Sequence, residues 1–140
     1  MDRIIKIIIT KTLELNIKNK IINNFFYLTY CKNDGAAFSI FREKQFLLII
    51  ISFIFLYIIY KFIREEKNLT KYKTISYSLL VGGIFGNLFD RIFYGYVIDY
   101  LDFKIFNYNF AIFNLADVCI VIGLLLLLFN KVSEKDESKN

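Results

Sequence analysis

Phe46-Leu47-Leu48-Ile49-Ile50-Ile51-Ser52-Phe53-Ile54-Phe55-Leu56-Tyr57-Ile58-Ile59-Tyr60-Lys61-Phe62-Ile63 is interrupted only by Ser52 and Lys61. A helix needs about 20 such residues to cross a hydrocarbon core of about 30 Å, so this run reads as a membrane span. Two more candidates follow. Residues 111–129 hold Asp117 as their only charge, and residues 74–92 are less apolar, with Gly82, Gly83, Gly86, Asn87, Asp90 and Arg91 among them. Apolar residues make up 56% of the chain, and they are gathered into these runs instead of spread over a soluble core. The expected fold is therefore an α-helical integral membrane protein.

Outside the spans the chain changes character. Residues 1–9 are apolar but carry Asp2, Arg3 and Lys6, and the stretch is too short to cross a bilayer. Residues 10–44 are mixed. Phe25-Phe26-Tyr27-Leu28-Thr29-Tyr30 favours a strand, and Asn33-Asp34-Gly35 is a turn signal, so a small strand-rich segment at the membrane surface is expected. Within residues 93–110, Leu101, Phe103 and Ile105 alternate with Asp102 and Lys104, the period of an exposed or half-buried strand. Residues 131–140 form a charged tail expected to be disordered. The connection carrying Lys61, Arg64, Lys67, Lys71 and Lys73 is short and basic, which places it in the cytoplasm. The tail then falls on the same side, and residues 10–44 and 93–110 on the outer one. The whole chain, 1–140, reads as a single membrane-embedded domain.

Composition removes several chemistries. Histidine is absent, which excludes the usual zinc site, the Ser-His triad and the Cys-His pair together. Cys31 and Cys119 are not a spaced pair, and Cys119 lies within a span, so no disulfide framework is expected. The net charge of +5 comes from residues that flank apolar runs, which orients helices and does not indicate a nucleic-acid partner. No cofactor or metal is expected.

The charges inside the spans then need a reason, because each costs about 2.5–3.5 kcal/mol at a helix centre. Asn87 shares a helix face with Asp90 and Arg91, and Asn114 is three residues from Asp117. Asp90 and Arg91 could be a structural ion pair, and Gly82-x-x-x-Gly86 reads as helix packing. Asp99 could be a wetted interfacial residue. Asp117 has no basic neighbour on its own helix, so it needs a partner or a proton. Two carboxylates in one low-dielectric, water-accessible site share a proton, so one can activate water while the other donates to a carbonyl. That chemistry needs neither histidine nor metal.

Four stretches resemble the lipoprotein signal peptidase, or signal peptidase II, family. Asn33-Asp34-Gly35-Ala36-Ala37-Phe38 resembles its Asn-x-Gly-Ala-Ala-Phe. Gly82-Gly83-Ile84-Phe85-Gly86-Asn87-Leu88-Phe89-Asp90-Arg91 is similar to Gly-Gly-x-x-Gly-Asn-x-x-Asp-Arg. Gly95-Tyr96-Val97-Ile98-Asp99-Tyr100 is similar to Gly-x-Val-x-Asp-Phe, and Phe113-Asn114-Leu115-Ala116-Asp117 to Phe-Asn-x-Ala-Asp. The resemblance implies an intramembrane aspartic endopeptidase. It would cleave prolipoproteins before a diacylglyceryl-modified cysteine, with Asp99 and Asp117 as catalytic residues. Asn33, Asn87, Asp90, Arg91 and Asn114 would line the site and hold the substrate. It also implies a bacterial plasma-membrane location with the site near the outer face, surrounding membrane lipids, a monomer, and a β-cradle beside four helices.

The family's Asp-Gln-x-Ser/Thr-Lys is matched in Asp2-Arg3-Ile4-Ile5-Lys6 only at the Asp and the Lys. Most of the first helix would precede Met1, leaving three full spans plus a remnant, and an in-frame apolar extension upstream is expected. A transporter or ion-conducting subunit using Asp90, Arg91 and Asp117 is the alternative, without a visible inverted repeat to favour it. A scaffold assembling through the glycine face would leave Asp117 unexplained.

Overall fold

The computed structural model describes residues 1–35, 44–66, 68–106 and 108–137, with side chains through residue 130. Ala36, Ala37 and Phe38 of the first motif, and Lys67 of the basic connection, lie outside the described residues. The order is α1 (Asp2–Thr12), β1 (Lys18–Ile22), β2 (Phe26–Asn33), α2 (Gln45–Glu65), α3 (Lys71–Tyr94), β3 (Val97–Ile105), β4 (Tyr108–Asn109) and α4 (Leu115–Glu137).

Among the described residues, α2 is the helix long and apolar enough by composition to cross a membrane; the apolar part of α4, Leu115–Asn130, is shorter. The outer faces of α2 and α4 expose Phe46, Phe53, Tyr57, Leu125 and Phe129, among others. So much exposed apolar surface suits a helix bathed in lipid, since a soluble monomer rarely leaves patches of this size uncovered. α3 is more polar and carries the site. Thr70 caps its start by accepting from the Lys73 amide, and Gly95 ends it at φ 75°, a left-handed turn that glycine enters without a Cβ clash. That turn sends the chain straight into β3.

Helices α3 and α4 pack at contact distance because two positions lack side chains. A Cβ on Gly83 would lie 2.5 Å from the Ala116 carbonyl oxygen, and one on Gly123 would lie 2.7 Å from that of Ser76. Gly82 faces open space. The packing pair on α3 is therefore Gly83 and Gly86, not the Gly82-x-x-x-Gly86 spacing expected from the sequence. The two glycines of α3 that meet α4 are three positions apart, not four.

The four strands form one sheet in the order β1-β2-β3-β4, antiparallel throughout. Between β2 and β3 the register runs from Phe26 opposite Phe103 to Asn33 opposite Val97, with a bulge between Leu28 and Cys31. The strand expected from the alternation at 101–105 is present, with Leu101 and Phe103 half-buried and its most buried residue in that stretch a charged one. Asp102 is 1% exposed and ion-paired to Lys18 at 2.9 Å, with Thr29 donating to it at 2.9 Å, while Ile105 is 43% exposed. Partners from β1 and β2 make this burial possible, and no pattern within β3 could disclose them.

Two boundaries also differ. Residues 111–114 are extended, not helical, because Phe113 bridges Leu101 of β3. The backbone of the charged tail continues helical to Glu137, where disorder was expected.

Candidate active site

Asp99 lies four residues after the Gly95 turn, on β3, opposite Cys31 of β2. It is 3% exposed, and two amides donate to it: Asn33 Nδ2 at 2.9 Å and Asn114 Nδ2 at 2.7 Å. Asn33 is itself held, since its Oδ1 accepts from the Gly35 amide at 2.9 Å in the turn expected at Asn33-Asp34-Gly35. Burial first, and then the charge of Asp117, pushes the Asp99 carboxyl up to about 7.

Asp117 sits in the first turn of α4, and its position is set by a reciprocal cap. Asn114 Oδ1 accepts from the Asp117 amide at 3.0 Å, while Asp117 Oδ2 accepts from the Asn114 amide at 3.1 Å. This is the geometry of a capping box, in which the side chain at the helix start and the one three residues later satisfy each other's backbone N–H. The other Asp117 oxygen accepts from Asn87 Nδ2 at 2.7 Å. Asn114 Nδ2 also donates to Asn87 Oδ1 at 3.1 Å. One fully buried asparagine, Asn114, thus contacts both aspartates and the asparagine between them.

Both carboxylates open onto one cavity of about 570 Å³, together with Asn33, Asn87, Arg91 and an apolar wall that includes Phe110, Phe113 and Val121. Asn87, Arg91 and Asp117 also line a second cavity of about 730 Å³. It runs between α2, α3 and α4 past Ile59, Leu80 and Leu124 towards Glu66 and Lys73. The Arg91 guanidinium stands where the two meet and donates to the Gly35 carbonyl at 3.3 Å.

Five of the seven residues singled out from the sequence, Asn33, Asn87, Arg91, Asp99 and Asp117, therefore face shared space. Asn114 lies behind them. Asp90 is turned away from both cavities and is fully buried. Its cationic partners among the described residues are Arg3 at 2.8 Å and Lys6 at 2.7 Å, both on α1, and not its sequence neighbour Arg91. It also accepts from the Ile98 amide at 3.2 Å, which ties α3 to β3 just before Asp99.

Sequence reasoning missed how much α1 contributes. Lys6 is fully buried and pairs with Asp2 at 2.9 Å as well as with Asp90. Asp2 Oδ1 accepts from the Ala116 amide at 3.2 Å. Arg3 lies against the rings of Phe89 and Tyr94 and donates to the Tyr94 hydroxyl. The available signal was the i,i+4 pair Asp2 and Lys6 inside an otherwise apolar stretch.

The arrangement suits acid–base work by carboxylates. Cys31 is no competitor as nucleophile: burial first, then the charges of Asp99, Asp102 and Asp34, pushes its thiol up, away from the reactive thiolate.

Comparison with known proteins bears on the family and the fold. A family model described as signal peptidase (SPase) II matches residues 1–132. A curated relative from Wigglesworthia glossinidia brevipalpis, named lipoprotein signal peptidase, is 43% identical over 106 residues, spanning 74% of this chain and 69% of that protein. Two solved structures, each described as a bacterial membrane enzyme determined by the in meso method, share the fold. The first has TM-score 0.90 at 32% identity, covering 97% of this chain and 83% of its own. The second has TM-score 0.83 at 33% identity, covering 92% and 83%. A match across nearly the whole sequence and a shared fold lead to one conclusion: this chain belongs to the signal peptidase II family, membrane peptidases that remove the signal peptides of bacterial prolipoproteins.

Proposed function

We propose that the protein is an aspartic endopeptidase that works within the membrane, cutting before the diacylglyceryl-modified cysteine with Asp99 and Asp117 as its catalytic pair. The observation that carries this reading is the position of the two carboxylates, both joined to Asn114 and both opening onto one cavity. The pair holds one proton near neutral pH, because ionising the second carboxyl is opposed by the first. Asp99 keeps that proton. Asp117 takes a proton from a water molecule as the water oxygen attacks the scissile carbonyl carbon, and Asp99 gives its proton to the carbonyl oxygen. Collapse of the resulting diol breaks the C–N bond: Asp117 passes its proton to the departing nitrogen and Asp99 takes back a proton from a diol hydroxyl. Asn33, Asn87 and Arg91 hold the substrate backbone around this point.

In the same reading α2, α3 and α4 cross the membrane, and α1 packs beside them. The basic connection between α2 and α3 faces the cytoplasm, so the sheet and the dyad lie near the outer face. The enzyme acts as a monomer surrounded by lipid.

The test is cleavage of a lipidated prolipoprotein by the full chain in vesicles. Asp99→Asn and Asp117→Asn are each expected to lower the rate by at least about 10⁴-fold while inserting normally. Near-normal cleavage by either variant rules out the dyad.

A further inference from the structure

The asparagine amides in the site face a choice that sterics leave open. An amide turned end for end occupies nearly the same space, so only its hydrogen-bond partners fix which end is the donor. For Asn87 the choice matters, because its nitrogen, and not its oxygen, must face Asp117.

Lys6 Nζ lies 3.0 Å from Asn87 Oδ1. An ammonium has three donors and no acceptor, so it accepts only the oxygen end of the amide. The same oxygen receives Asn114 Nδ2 at 3.1 Å, and that nitrogen is committed in turn, since Asn114 Oδ1 already accepts from the Asp117 amide. Turning Asn87 over would set its NH₂ against two donors and leave Asp117 facing an amide oxygen.

The Lys6 side chain is balanced by its neighbours. It meets Asp2 at 2.9 Å and Asp90 at 2.7 Å, and Arg3 neutralises the other Asp90 oxygen at 2.8 Å. Two cations and two anions cancel within the α1–α3 contact. We propose that Lys6 is a positioning residue for the peptidase reaction, fixing the amide of Asn87 so that it donates to Asp117. This inference rests on the dyad reading, because it concerns how Asp117 is oriented.

The test is a mutant cycle on the full chain in vesicles with a lipidated prolipoprotein substrate. Lys6→Met is combined with Asp2→Asn, which removes one charge of each sign and keeps the hydrogen-bond acceptor of residue 2. This pair is measured alone, with Asn87→Ala, and beside Asn87→Ala alone. The expected result is a fall in kcat of about a hundredfold, the usual cost of one lost site donor, with KM nearly unchanged. In the Asn87→Ala background the same pair should change kcat by no more than about twofold. If the full loss recurs there, Lys6 acts through its charge or the scaffold and the proposal is overturned, as it is if kcat does not fall at all.

Asn87→Leu, close in size, removes the donor without adding a second carboxyl beside Asp117, and its Tm in detergent checks that it folds. Folded, it should lose kcat by about a hundredfold or more. Retention of kcat overturns the proposal. An active Asp117→Asn variant would instead refute the dyad, which keeps the two failures apart.

Discussion

Asp99 is the residue on which pH should act most visibly. In the unfolded chain its carboxyl titrates near 4, whereas in the folded protein burial and Asp117 hold it near 7. The folded state therefore binds the proton more tightly. The stability this lends is fully present below the unfolded value and is lost as pH rises through about 7. Asp99→Asn carries no such penalty. Its Tm relative to the parent should climb between about pH 4 and pH 7 and level off above that, and a thermal series in detergent from pH 4 to 9 checks this. A constant difference would mean that Asp99 is not buried as described. At this scale the sequence was informative where chemistry is local and silent where it is not. Asp117 stood out as a charge without a partner, and Asp99 followed the turn glycine. The burial of Asp102 was not legible in the alternation of its strand, because its partner Lys18 lies far from it in the chain. Asn114 and Asp117 looked like neighbours on a helix face, whereas Asn114 caps the helix and Asp117 completes the box. An Asn-x-x-Asp before an apolar run was the clue.

Among the elements, the contact of α3 with α4 sets the distance from Asn87 to Asp117. Gly83→Ala must push its methyl against the Ala116 carbonyl, inside the box and next to Asp117, and should cost about 1–3 kcal/mol of stability with a loss of activity. Gly82→Ala meets open space, and replacing a helical glycine there should be neutral or stabilise by up to about 1 kcal/mol. Melting and cleavage measured on the two variants separate them; equal behaviour would refute the packing account. The apolar runs made the helices legible but not their ends. The start of α4 is set by the bridge between Phe113 and Leu101, a long-range pairing that hydropathy cannot register. The strands were visible as β-prone segments, yet their order required α2 and α3 to return β3 to the side of β2.

Over the whole molecule the proposed orientation is directly testable. With Cys31 and Cys119 replaced by alanine, Tyr108→Cys should react with a membrane-impermeant thiol reagent applied outside spheroplasts, and Lys61→Cys only after lysis. Both positions are exposed on the protein surface. The reverse labelling would invert the topology and put the dyad on the cytoplasmic side.

The chain segment joining β3 to α4 has one more consequence. Three main-chain hydrogen bonds, from Tyr100 and Leu101 to the Phe113 carbonyl and from Phe113 back to Leu101, stitch the strand bearing one aspartate to the segment that launches the other. The helices bury themselves in lipid whether or not those stitches hold. Agents that loosen the sheet should therefore silence the enzyme while its helical circular dichroism is still intact, making this seam a fuse that blows before the scaffold melts.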